Sequence, residues 1–76
     1  MSLLYVLVKT EPSQMESVLE KIKEIECIEE AYMVYGTYDI LVKVKTENQK
    51  ELKGIVQRIR NQESVLSTLI LRAIKE

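Results

Sequence analysis

Short, densely apolar runs alternate along this chain with longer stretches in which apolar residues recur every three or four positions. The first run, Leu3 to Val8, has six consecutive apolar residues, which indicates a strand buried on both faces. Pro12 follows it and cannot donate to a strand ladder. The pattern therefore predicts a buried first strand that ends before a turn.

Two stretches have helical spacing. The first is predicted to run from about Ser13 to Glu24, opened by a capping box formed by Ser13 and Glu16. The second follows a polar break in which Thr46 to Gln49 offers another capping box. Their apolar stripes predict one buried side each; the stripes are Met15, Val18, Leu19, Ile22, Ile25 and Leu52, Ile55, Val56, Ile59.

Between the helices, Ile28 to Tyr35 and Tyr38 to Lys45 are predicted as two strands joined by a tight turn at Gly36-Thr37. Glycine supplies the positive φ that a two-residue hairpin turn requires. This turn sets a register in which one side of the hairpin is apolar. The predicted pairs are Tyr35 with Tyr38, Val34 with Asp39, Met33 with Ile40, Tyr32 with Leu41, Ala31 with Val42 and Glu30 with Lys43.

A last strand is predicted from Glu63 to Ile74, which completes the order βαββαβ. Two similar strand–helix–strand halves are typical of the α+β, ferredoxin-like fold, a four-stranded antiparallel sheet with two helices on one face. The first and third strands are then central, and the charged second strand lies at an edge. At 76 residues, we expect positions 1–76 to form a single domain.

Two helices cover only one face of such a sheet, yet the strands place apolar residues on both faces. Tyr5, Tyr32, Val34 and Leu41 belong to the surplus. An exposed apolar face of this kind marks an interface. We therefore expect a homodimer that packs sheet to sheet.

Composition excludes several classes of function. The 11 basic and 12 acidic side chains give no basis for strong, sequence-independent phosphate binding. Cys27 is the single cysteine and histidine is absent, so no disulfide, metal or cofactor is expected, and an enzyme is disfavoured. No apolar run reaches membrane-spanning length. A cytoplasmic, non-membrane protein is the expectation.

The turn from Tyr35 to Asp39 is the sharpest candidate for a binding site, because it holds the only aspartate of the chain. Asp39 either accepts hydrogen bonds from a ligand ammonium or only stabilises its own turn. Tyr35 and Tyr38 either meet a ligand or stabilise the hairpin. Hydroxyls of Thr37, Ser67 and Thr68 serve a ligand or simply reflect strand propensity, and Met15 and Met33 are expected as core filler.

Four segments together resemble a known family: the strand Tyr5 to Val8, the turn Thr10 to Ser13, the hairpin Val34 to Val44 and the strand Ser67 to Leu71. The chain is similar over nearly its whole length to the effector-binding domain, or RAM domain, of the Lrp/AsnC transcriptional regulators. Within that resemblance, the Gly-x-Tyr-Asp hairpin is the most specific part.

The resemblance implies a dimeric α+β barrel type of assembly, in which sheet-paired dimers join into an octamer-like ring. It also implies a free amino acid bound in clefts between dimers. Residues that match the family's ligand-contacting positions are Tyr35, Gly36, Thr37, Tyr38, Asp39, Ser67, Thr68, Thr10 and Glu11. Ser13 stands where the family has a glycine after the first-loop proline, which weakens the match of that loop.

Full-length family members carry a helix-turn-helix domain before this one, whereas this chain enters its first strand at once. It therefore resembles the stand-alone RAM proteins or a fragment of a longer regulator, with no direct DNA binding expected. Assembly with full-length Lrp/AsnC regulators is a further expectation. Two other readings remain: a purely structural assembly domain, and a small enzyme of the dimeric α+β barrel type.

Overall fold

The computed structural model describes residues 2–46 and 48–74. Its four strands form an antiparallel sheet in the order β2-β3-β1-β4, so β1 and β3 are central, as predicted. The sequence therefore predicted the ferredoxin-like α+β fold correctly. The elements are β1 (Ser2–Thr10), a 3-10 turn (Pro12–Gln14), α1 (Met15–Lys23), β2 (Ile28–Met33), β3 (Ile40–Val44), α2 (Gln49–Arg60) and β4 (Val65–Ile74).

Both helices pack on the same face of the sheet. Alternate residues of the central strands point into this layer, because successive side chains of a strand lie on opposite faces. Val6, Val8, Ile40 and Val42 are completely buried there. Each such side chain stabilises the fold by about 1.5–3 kcal/mol. The helices bury the two stripes that the sequence predicted; their core residues are Val18, Leu19, Ile22, Leu52, Ile55, Val56 and Ile59.

The predicted register of β2 on β3 is confirmed by the pairs Met33 with Ile40, Tyr32 with Leu41, Ala31 with Val42 and Glu30 with Lys43. The ion pair differs from the predicted one between Glu30 and Lys43, because Lys43 Nζ lies 3.9 Å from Glu29 Oε1. Glu30 instead accepts a hydrogen bond of 2.7 Å from the Tyr32 hydroxyl, which raises the pKa of Tyr32. Correct register thus did not dictate which glutamate pairs with the lysine.

The prediction of a tight two-residue hairpin turn at Gly36-Thr37 was wrong. β2 ends at Met33, and the Tyr35 side chain is fully exposed. Asp39 N–H donates to Val8 O of β1 at 2.9 Å, whereas Asp39 O accepts from the N–H of Val34, the residue after β2, at 2.8 Å. In a regular strand both backbone groups of one residue point to the same neighbour. The chain therefore twists at Asp39, and the loop is wider than a two-residue turn, with Gly36 at φ 128°.

Both predicted capping boxes were also wrong. Ser13 lies inside the 3-10 turn that follows β1. Glu11, the N-cap of this turn, and Gln14, the N-cap of α1, make no capping bond through their side chains. At the second helix the cap is Asn48, whose Oδ1 accepts from the N–H groups of Lys50 and Glu51. The local turn, rather than the sequence motif, decides which side chain reaches the free N–H groups.

The face of the sheet opposite the helices is uncovered, as predicted. One row across all four strands joins Tyr32, Leu41, Leu7 and Leu69, and the next row includes Tyr5 and Leu71. We call these six residues the open face. Half of the Tyr32 side chain is exposed, as are 43% of Leu69 and 42% of Leu71. Among the helices of the described residues, none is long and apolar enough to cross a membrane.

Candidate functional site

Asp39 is fixed to β1 rather than to its own turn. Its Oδ2 accepts a hydrogen bond of 2.8 Å from the backbone N–H of Thr10, a residue that is only 2% exposed. The pairing of β1 with β3 ends at Val8, opposite Ile40, so no residue of β3 pairs with Thr10 and its N–H is free of the ladder. Asp39 satisfies that group, which holds the carboxylate in one place.

A second contact holds the same turn from the neighbouring residue of β1. Lys9 Nζ donates to the carbonyl oxygen of Thr37 at 3.3 Å. Lys9 was not among the residues that the sequence singled out. Its ammonium contacts a residue only two positions from Asp39, so the turn presents both signs of charge.

A cleft of about 410 Å³ opens beside Asp39 on the helix side of the hairpin. Its wall is mostly apolar, with the Asp39 carboxylate as its charged group. Met33 is about half exposed here instead of filling the core as expected, because β2 ends at this point. The lining residues are Met15, Met33, Val34, Tyr35, Gly36 and Asp39.

Ser67 and Thr68 do not meet at one site. Ser67 pairs with Lys9 and lies on the side of the open face, whereas Thr68 pairs with the buried Val8 on the helix side. The Thr68 hydroxyl accepts a hydrogen bond of 2.7 Å from Arg60 Nε. Because β1 runs between β3 and β4, both hydroxyls lie across a strand from the Asp39 turn within one chain.

The remaining predicted residues frame the turn without entering the cleft. Glu11 N–H donates to Ser64 O at 3.0 Å, which ties the end of β1 to the start of β4, and its side chain is exposed. The side chain of Tyr38, the residue before Asp39, is half-buried. Of the nine predicted residues, three line the cleft: Tyr35, Gly36 and Asp39. Two others take part in the hydrogen bonds that hold the turn against β1, since Thr10 N–H donates to Asp39 and Thr37 O accepts from Lys9.

The single cysteine lines another cleft, of about 420 Å³, where the α1–β2 connection meets α2. Cys27 Sγ donates to Glu51 Oε1 at 3.3 Å, and Thr46 Oγ1 donates to the same oxygen at 2.6 Å. The hydrogen bond to Glu51 raises the pKa of the Cys27 thiol, while the bond from Thr46 lowers the pKa of Glu51. This arrangement keeps the sulfur protonated, the opposite of an activated nucleophile.

Similar sequences include regulators and an enzyme. The chain is 30% identical to the HTH-type transcriptional regulator FL11 of Pyrococcus furiosus over 97% of its own length and 51% of that protein. It is 37% identical to a homocitrate synthase of Saccharolobus solfataricus over 79% of its length, which is 13% of the enzyme. The chain thus spans about half of the regulator and a small part of the synthase.

Similar structures have the same fold. The TTHA0845 protein of Thermus thermophilus superimposes with a TM-score of 0.91 at 28% identity, covering 100% of this chain and 96% of the other. PHS023 of Pyrococcus horikoshii gives 0.83 at 35% identity, covering 100% and 93%. The transcriptional regulator NMB0573 of Neisseria meningitidis, solved as an L-Met complex, gives 0.84 at 12% identity, with coverage of 99% and 51%.

The family model of the Lrp/AsnC ligand-binding domain matches residues 3–76, which is nearly the whole chain. The matched range reaches into all four strands and both helices of the described structure. The chain therefore belongs to the Lrp/AsnC ligand-binding domain family.

Proposed function

We propose that this protein is a non-enzymatic regulatory module that binds a free amino acid at the Asp39 turn. The observation that carries the proposal is the Asp39 carboxylate, held by the Thr10 N–H at 2.8 Å on the rim of an apolar cleft. A carboxylate has about four acceptor sites, so one bond to Thr10 is compatible with a second to an ammonium. The regulatory family supports this assignment.

Each part of an amino acid has a counterpart at the turn. Asp39 accepts from the ammonium, and backbone N–H groups of the turn with the Thr37 hydroxyl donate to the ligand carboxylate. Met15 and Met33 offer polarizable, adaptable walls to an apolar ligand side chain. The L-Met complex of the Neisseria regulator, which has the same fold, supports this class of ligand.

The proposed assembly places the cleft at a boundary between copies. Open faces pair in a homodimer, and dimers join into a larger, ring-like oligomer. Ser67, Thr68 and Glu11 are then available to a ligand held by a neighbouring copy, whereas Thr10, which is 2% exposed, acts only through its bond to Asp39. The module acts in the cytoplasm by assembling with full-length Lrp/AsnC regulators, and does not bind DNA by itself.

A thermal-shift screen against the twenty amino acids tests ligand binding, followed by calorimetry on any that respond. An effector at about 100 times its dissociation constant stabilises the folded protein by about 2.7 kcal/mol. The informative variant is Asp39→Asn, because an amide oxygen still accepts from Thr10 N–H while the charge that attracts the ammonium is gone. We expect this variant to fold and assemble normally but to lose the shift.

Glu63→Gln is the matched control, since it removes one exposed acidic charge from the α2–β4 connection, outside the acidic surface of α1 and β2. It should respond to the effector as the unmodified protein does. If no amino acid shifts the melting temperature at millimolar concentration, the effector proposal is wrong and a purely structural assembly domain remains. If Asp39→Asn binds normally, the ammonium site lies elsewhere.

A second candidate is suggested by the synthase similarity. The same module would then transmit effector binding to a metabolic enzyme instead of a DNA-binding regulator. Capture experiments with the tagged protein, with and without effector, distinguish the two. Recovery of a full-length Lrp/AsnC regulator supports the first candidate, and recovery of a homocitrate synthase supports the second.

A further inference from the structure

Exposed charges are sorted by sign between the two sides of this molecule. One side, which we call the acidic flank, comprises α1, β2 and their connection, with six acidic and two basic exposed residues and a net charge of −4. The other, the basic flank, comprises α2, β4 and their connection, with five basic and two acidic exposed residues and a net charge of +3. The acidic flank contains Glu16, Glu20, Lys21, Lys23, Glu24, Glu26, Glu29 and Glu30, and the basic flank Lys50, Glu51, Lys53, Arg58, Arg60, Glu63 and Arg72.

The topology puts these flanks at opposite ends of the sheet. β2 is one edge strand and β4 is the other, with β3 and β1 between them. α1 packs beside β2, and α2 packs beside β4. The nearly neutral chain, with a net charge of −1, is therefore strongly polarised across its width.

We propose that the basic flank of one copy docks on the acidic flank of another copy, head to tail. The partner of the basic flank is a second copy of this chain, because the chain itself carries the complementary charge, −4 against +3. The two flanks are also similar in extent, since each comprises one edge strand and one helix. A nucleic acid bound at the basic flank would be repelled by the rest of the chain, whose net charge is negative. Complementary potentials favour encounter and fix the register of docking.

A head-to-tail contact uses two different surfaces, so it repeats from copy to copy until a ring closes. It does not involve the open face, which stays free for the sheet-to-sheet dimer. The inference thus specifies the contact of the larger assembly proposed above. It does not depend on whether an amino acid binds at Asp39.

Contacts between exposed charges are screened by salt, with a Debye length of about 10 Å at 0.1 M and about 3 Å at 1 M. Light scattering after size exclusion should show an assembly larger than the dimer at about 50 mM KCl and its loss at about 500 mM KCl. Sheet-face dimers, which depend on apolar burial, should survive both conditions.

Charge reversal gives the decisive test. Variant A carries Lys53→Glu and Arg72→Glu, which changes the basic flank from +3 to −1, so that both flanks are acidic. Variant B carries Glu16→Lys, Glu20→Lys and Glu24→Lys, which changes the acidic flank from −4 to +2, so that both flanks are basic. Each alone should stop at the dimer, whereas an equimolar mixture of A and B should recover the larger assembly. A chain with all five substitutions has flanks of +2 and −1 and should assemble by itself with inverted polarity, which also controls for damage to the fold.

Several results would overturn the proposal. The proposal is wrong if A and B each assemble like the unmodified chain, or if their mixture stays dimeric while the five-substitution chain is folded. The same conclusion follows if the unmodified chain remains dimeric at low salt. If the unmodified chain binds duplex DNA and variant A does not, while both assemble equally, the basic flank is a nucleic-acid surface instead.

Discussion

At the scale of a single residue, Asp39 combines a structural role with the binding role that we propose for it. Its carboxylate accepts the Thr10 N–H, and its backbone groups bond Val8 of β1 on one side and Val34, just after β2, on the other. Thr10 is 29 positions away in the sequence, and nothing in the local pattern around either residue signals the bond. Asp39 was predictable as a candidate because it is the single aspartate and follows Gly36 by three positions in a predicted turn, whereas its partner Thr10 was not predictable.

Asp39→Ala is expected to destabilise the fold more than Asp39→Asn. Alanine leaves the buried Thr10 N–H without its acceptor, which costs about 1–3 kcal/mol, whereas asparagine still accepts that bond. Urea unfolding of both variants measures the difference in the free energy of unfolding. Equal stability of the two would show that the bond to Thr10 contributes nothing.

Cys27 is expected to react slowly with iodoacetamide, because its bond to Glu51 raises the pKa of the thiol. Since folding favours the protonated thiol, the stabilisation from this contact is present below the ordinary thiol pKa and is lost as pH rises through the raised value. Glu51→Gln removes the carboxylate charge, so it should lower the thiol pKa and speed alkylation at pH values just below it.

Glu26→Gln is the control for that measurement, because Glu26 is the weakest of the contributions that raise the pKa of Cys27. It should accelerate alkylation less than Glu51→Gln does. A rate profile against pH that is identical in all three proteins would rule out the contact with Glu51 in solution.

At the scale of elements, local patterns located the helices and strands but missed their ends. The stripe of α2 is buried as its spacing predicted, since side chains three and four apart share one side of any helix. Its start depended on how the chain turns after β3, and that turn places Asn48 rather than Thr46 at the cap. Thr46 instead donates to Glu51.

Asn48→Ala should lower the free energy of unfolding by about 1 kcal/mol, because two N–H groups of α2 lose their acceptor. Asn48→Asp should retain most of the stability, since aspartate caps helices equally well. Thermal or urea unfolding compares the two. If Gln49→Ala, one residue along, is as damaging as Asn48→Ala, the loss does not come from the cap.

The whole molecule exposes its open face while its helix face is closed. Leu69 and Ile70 are adjacent on β4 and almost equally exposed, at 43% and 41%. Leu69 pairs with Leu7 on the open face, whereas Ile70 pairs with the buried Val6 on the helix side. Substitutions at these two residues therefore distinguish a position on the open face from an equally exposed position on the other face of the same strand.

Leu69→Lys is expected to convert the proposed homodimer to monomers, because a lysine charge would be buried between two apolar faces. Ile70→Lys, the matched control, should remain dimeric. Light scattering at micromolar concentration measures both masses. A dimeric Leu69→Lys variant would move the proposed interface away from the open face.

The sequence by itself determined the order of the elements, the faces of the strands and the register of β2 on β3. These follow from period and turn position, which depend on residues close together in the chain. Tertiary structure alone decided that Asp39 bonds Thr10 and that Ser67 and Thr68 lie on opposite faces. It also decided that opposite charges collect at opposite edges of the sheet. Such features arise only when segments distant in sequence become neighbours, so no local pattern encodes them.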